Sequence, residues 1–134
     1  MRYEIGVSIP MGYIVWVNGP YPCGAWPDLK IFRDCLIHNL DEGEYVLADG
    51  GYSDINGRCF TPSGRHDFQD RQESVVRARH ETLNTRFKKW GALHQVWRHP
   101  LIKHGIVFHA IANILQVCIE EGLFIWEVEY SDNI

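Results

Sequence analysis

From His104 to Glu121 the chain is apolar nearly all round: Ile106, Val107, Phe108, Ile111, Ile114, Leu115, Val117 and Ile119 leave no continuous polar stripe. A helix of that kind has to be covered, so a chain that carries one must pack other layers over it. The spacing predicts a buried helix over 104–121, closed by Gly122. At 134 residues there is room for one domain, and 46% hydrophobic residues supply a core to surround that helix.

The segments upstream provide the covering layers. Tyr3, Ile5, Val7 and Ile9 alternate as a strand, Pro10-Met11-Gly12 breaks it, and Tyr13–Val17 reads as its return strand. Residues 19–27 hold three prolines and two glycines and are expected to be loop. Asp28 stands where an N-cap would, before Leu29, Phe32, Leu36 and Leu40 at helical spacing. Residues 44–48 form a short apolar strand that runs into Asp49-Gly50-Gly51-Tyr52, and residues 53–69 are expected to be loop. A second helix spans about 70–90, with Val76, Leu83, Phe87 and Trp90 on one face and Arg77, Glu81, Asn84 and Lys88 on another. A hairpin, a helix, a further strand and two long helices predict an α/β domain with a mixed sheet.

No apolar run reaches the roughly 18 residues of a membrane-spanning helix, and Met1-Arg2-Tyr3-Glu4 opens no signal-peptide core. The four cysteines, Cys23, Cys35, Cys59 and Cys118, form no Cys-x-x-Cys pair and read as reduced thiols of an intracellular protein. His94, His99 and His104 are spaced by five, which puts successive imidazoles on different helix faces and argues against a zinc site.

The net charge of −4 is unevenly distributed. Residues 65–98 carry eight Lys or Arg against four acids, while the segments before and after are both acidic. Such a stripe suits a phosphate backbone, although a solvated, salt-bridged helix face has the same composition. Asp49 ends a strand before two glycines, where a carboxylate can face a cleft and hold a divalent cation; an ordinary Asp-Gly turn is the alternative. Glu81, on the polar face of its helix, could equally pair with a neighbour one turn away.

Taken in order, these blocks carry more than they do singly. Val46-Leu47-Ala48-Asp49-Gly50-Gly51-Tyr52, followed by Arg77-Ala78-Arg79-His80-Glu81-Thr82-Leu83-Asn84-Thr85-Arg86-Phe87-Lys88, resembles the second and third blocks of the DDE superfamily endonucleases. These are transposase-derived nucleases that include the Harbinger-like elements. Gly12–Pro20 with Gly24 and Asp28 is similar to the family's segment between its first two catalytic acids, and the apolar helix with Ala110, Asn113 and Gln116 resembles its closing helix.

The resemblance implies a ribonuclease H-like fold in residues 1–122, with 123–134 as an acidic C-terminal tail. It implies that Asp49 and Glu81 are the second and third catalytic acids and hold Mg²⁺ or Mn²⁺. Arg77, Arg79, Arg86, Lys88 and Lys89 would then line a DNA groove. The family's first acid stands on a strand that precedes the Tyr3–Ile9 segment, so the expectation is a sheet without that central strand and a chain that by itself does not cleave. DNA is the implied partner, in the nucleus if the cell is eukaryotic. No helix-turn-helix is recognisable, so recognition of element ends would need another protein or the missing N-terminal segment. The alternative function is a catalytically silent DNA- or protein-binding remnant of a transposase.

Overall fold

Strand β1 (Arg2–Val7) pairs antiparallel with β2 (Ile14–Tyr21), with Ile5 opposite Val17 and Gly6 opposite Trp16. The period-2 alternation sends Tyr3, Ile5 and Val7 to one face, where they pack on the core. Glu4 goes the other way, is 5% exposed, and accepts a hydrogen bond from the Trp16 indole at 2.9 Å. The structure is a computed structural model and describes residues 1–48, 58–60 and 68–125, with backbone alone at Phe60, Phe68, Gln69, Asp70 and Gln72.

β2 runs on through Gly19 and Pro20, where a loop was expected. Gly19 has φ +129, and a Cβ there would come within 2.8 Å of the Arg2 carbonyl oxygen. Only glycine lets the two strands stay this close to their ends.

The single helix expected over 29–40 is two pieces. Helix α1 (Asp28–Asp34) ends at Cys35, whose φ and ψ of −126 and −72 leave the helical region, and a 3-10 turn (Leu36–Asn39) follows. Pro27, not Asp28, is the N-cap; the Asp28 carboxylate instead pairs with Arg2 at 3.3 Å and ties α1 to β1. Ile31 and Phe32 are buried. Within the stretch expected to be loop, β4 (Cys59–Phe60) pairs in parallel with β3 (Val46–Leu47), and the Val46 amide donates to the Arg58 carbonyl.

Helix α2 (Phe68–Lys88) and a short α3 (Gly91–His94) lead to α4 (Leu101–Glu120). Pro100 is the N-cap of α4, so the helix starts three residues before the expected His104. The architecture is mixed α/β, a small antiparallel sheet with helices packed on it.

α4 corrects the expectation of a helix buried on all sides. Phe108, Ile111, Ala112, Leu115 and Ile119 join Leu83 and Phe87 of α2 in the core, but Ile102, Ile106 and Val117 are more than half exposed. By length and composition, with a mean hydropathy of 1.4, α4 could cross a membrane, which the sequence reading had not found. Three polar clamps hold its inner face to the sheet. Gln116 accepts from the Ile14 amide at 2.6 Å, His109 bonds the Gly19 carbonyl at 3.2 Å, and His104 Nδ1 meets the Tyr3 hydroxyl at 2.6 Å. Gly105 lets α4 touch Pro20, since a Cβ there would lie 2.9 Å from the proline ring.

Tyr3 also stacks on Phe108 at 3.6 Å, and Phe108 on Phe87 at 4.9 Å, the rings within 8° of parallel. Burial pushes the Tyr3 hydroxyl up to about 12 and holds the His104 imidazole below its ordinary value. The neutral forms are therefore the folded ones, joined by the hydrogen bond between the Tyr3 hydroxyl and His104 Nδ1. The unfolded chain releases the Tyr3 proton near 10.0 and takes up the His104 proton near 6.5. Their contribution to stability is thus present between those values, lost as the pH rises from 10 towards 12, and lost as it falls below 6.5. Urea midpoints measured across this range should drop at both ends, and Tyr3→Phe should remove part of the alkaline drop. An unchanged alkaline limb in that variant would refute the assignment.

Candidate nucleic-acid interface

Helix α2 divides its charged residues between two environments. Val76, Leu83 and Phe87 face the core, at 9%, 0% and 4% exposure. Arg79 stands three residues after Val76 and four before Leu83, which is the spacing of the apolar stripe. It is 1% exposed, and its guanidinium donates to the Ser8 carbonyl at 3.0 Å. Burial lowers its pKa from the ordinary arginine value. Arg79 is therefore a structural strut between α2 and the turn after β1, and it does not belong to a solvent-facing basic groove. His80 supports the same seam through Nε2, 3.0 Å from the Ile5 carbonyl, while Asn84 lies 3.4 Å from its Nδ1.

The other cations expected in the groove differ in availability. Arg77 pairs with Glu73, a residue 2% exposed, at 3.6 Å. Arg86 donates to the carbonyls of Leu123 and Phe124 and so pins the segment that follows α4. Beyond them Ile125 is 2% exposed and joins the core, while Leu123 and Phe124 are exposed. Lys88 and Lys89 are exposed, and neither makes an ion pair among the described residues.

Glu81 is exposed on the α2 face shared with Asn84 and Lys88. Arg77, four residues earlier, is the cation best placed to neutralise it, but Arg77 is engaged with Glu73. The Glu81 carboxylate is left without an ion pair among the described residues. Asp49 lies outside the described residues; β3 ends two positions before it. Among the described residues no three His, Cys, Asp or Glu side chains converge on one point. Glu81 thus offers one hard oxygen donor of the type Mg²⁺ takes, and the described residues alone do not complete a site.

Sequence reasoning placed Glu81 and Lys88 on the outward face and missed the burial of Arg79. The signal was available: Glu73, Val76, Arg79, Leu83 and Phe87 recur at intervals of three and four, so the buried stripe includes two charged residues.

The chain belongs to the DDE superfamily endonucleases, whose family model matches residues 1–120. No curated protein and no solved structure matches the chain.

Proposed function

We propose that this chain is the DNA-engaging part of a transposase-derived DDE nuclease of ribonuclease H-like type, with Glu81 and Asp49 as the two carboxylates that hold Mg²⁺ or Mn²⁺. The observation that carries the reading is Glu81, exposed and without an ion pair among the described residues, with Arg77 one turn before it engaged by Glu73. An exposed glutamate oxygen is a donor of the type Mg²⁺ takes. Such an ion, when bound, supplies activation of the attacking oxygen and stabilisation of the leaving one. Lys88 and Lys89 supply phosphate contacts beside it.

Asp49 and Glu81 by themselves would hold a divalent cation weakly, so Mn²⁺ is expected to bind poorly and a supercoiled plasmid is expected not to be nicked. The site itself is tested by replacing the ion with Fe²⁺ and mapping peroxide-driven cleavage of the polypeptide. Cuts should cluster near residues 49 and 81, be suppressed by Mn²⁺, and disappear in Glu81→Ala. A cleavage pattern indifferent to Glu81→Ala would remove the metal site from this reading. Plasmid nicking that is lost in Asp49→Ala would instead show that the two acids suffice.

A further inference from the structure

The charges of α4 sit at its two ends. Lys103 stands in the first turn, Glu120 and Glu121 close the last, and no Lys, Arg, Asp or Glu lies between them. A cation beside the free amides of a helix start and anions beside the free carbonyls of its end both oppose the helix dipole. The isolated helix therefore disfavours this placement twice over. Neither Lys103 nor Glu121 makes an ion pair among the described residues, and both are exposed.

Between those ends the outward side is apolar. Ile106, Ile114 and Val117 are 67%, 46% and 57% exposed, and Ala110 is exposed at the middle. At about 100° per residue, Lys103, Ala110, Val117 and Glu121 fall within about 40° of one line along the helix, with Ile106 and Ile114 on either side of it. The core residues Phe108, Ile111, Leu115 and Ile119 occupy the opposite side. With Ile102, which is 77% exposed, the outward face presents roughly 500 Å² of apolar surface, a patch as large as those that mark interaction sites. With its charged ends included it approaches about 600 Å², one partner's share of the smallest specific interfaces.

We infer that two copies of the chain pair through this face, their α4 helices antiparallel about a two-fold axis near residue 112. That arrangement turns both end charges from a cost into a gain. Lys103 comes beside the partner's Glu121 and the carbonyl end of the partner helix, and Glu121 beside the partner's Lys103 and its amide end. The same register sets Ile106 against the partner's Val117 and Ala110 against the partner's Ile114, and the small alanine lets the helices approach closely. Asn113 meets the partner's Asn113 close to the axis, where one amide can donate to the other and fix the register. A parallel pair would instead set Lys103 against the partner's Lys103 and acid against acid. The inference is independent of the DNA reading.

An interface of this size is expected to be weak, with a Kd of about 10–100 µM, so the outer face is mostly free in dilute unfolding experiments. Sedimentation equilibrium of the full chain across that range should show monomer and dimer in exchange. Ile106→Glu should weaken the dimer by at least about tenfold and leave the urea midpoint unchanged, since Ile106 lies outside the core. Lys103→Glu and Glu121→Lys should each weaken self-association by about tenfold at low salt, because each sets like charges together at both ends. An equimolar mixture of these two variants should regain the parent's affinity, because every mixed pair again has opposite charges at both ends. The charge variants and their mixture decide the question independently of Ile106→Glu. A chain that stays monomeric overturns the inference, as does a dimer whose affinity Ile106→Glu leaves untouched. A mixture that associates no more tightly than either variant alone overturns it too. Binding to phosphatidylcholine vesicles that is lost in Ile106→Glu, without self-association, would give the face to lipid and overturn the pairing.

Discussion

Phe108→Ala is expected to destabilise the domain by about 3–5 kcal/mol, the usual cost of emptying a phenylalanine site in a core. Phe108 is 7% exposed and lies between Tyr3 and Phe87, so its removal also ends two ring stacks at once. Each stack contributes about 0.5–1.5 kcal/mol beyond the area it buries. The loss falls where β1, α2 and α4 meet. Small domains hold only about 5–15 kcal/mol in total, and the variant should be largely unfolded near 45 °C. Urea denaturation followed by near-ultraviolet circular dichroism gives the number directly. Val117→Ala, on the outer face of the same helix, should shift the midpoint by less than about 0.5 kcal/mol. Equal losses in the two variants would mean that the outer face of α4 is covered in solution.

The second large effect is on DNA. With Lys88 and Lys89 both replaced by glutamine, the slope of log affinity against log salt should fall by about two, since each phosphate contact contributes about 0.9. At about 0.1 M salt this corresponds to a weakening of roughly tenfold or more. Arg79→Met should behave in the opposite manner. Its side chain is inside, donating to Ser8, so the slope should stay the same while stability drops by about 1.5–3 kcal/mol, the range for a hydrogen bond to a charged group. Filter binding at four salt concentrations, alongside urea melts, separates the two. A slope that falls with Arg79→Met as much as with the lysine variant would place Arg79 at the phosphates and contradict its burial.

Much of the frame was legible. The alternation of Tyr3, Ile5 and Val7, the break at Pro10–Gly12 and the two long helices all follow from local periods, and the structure forms them within a few residues. The helix over 29–40 was not legible as two pieces, because Leu36 and Leu40 keep helical spacing across the break at Cys35. β4 was missed because a two-residue parallel strand has no period of its own and exists only by pairing with Val46–Leu47. At the site, Glu81 and Lys88 fell on the outward face as their spacing required, and Asp49 lies outside the described residues.

The sequence by itself determined the family, the two blocks that carry it and the elements that α2 and α4 form, because blocks and helical periods are properties of neighbouring residues. What only the tertiary structure decided is which charges are free. Arg77, Arg79 and Arg86 look alike along the chain, yet one pairs with Glu73, one braces Ser8 and one holds Leu123 and Phe124. The partners lie up to 71 residues away. Whether a cation meets DNA or a carbonyl is set by which distant backbone arrives beside it, and local spacing holds no record of that. The same holds for α4, which is apolar on all sides in sequence, but the sheet and α2 cover one side of it and leave Ile102, Ile106 and Val117 exposed.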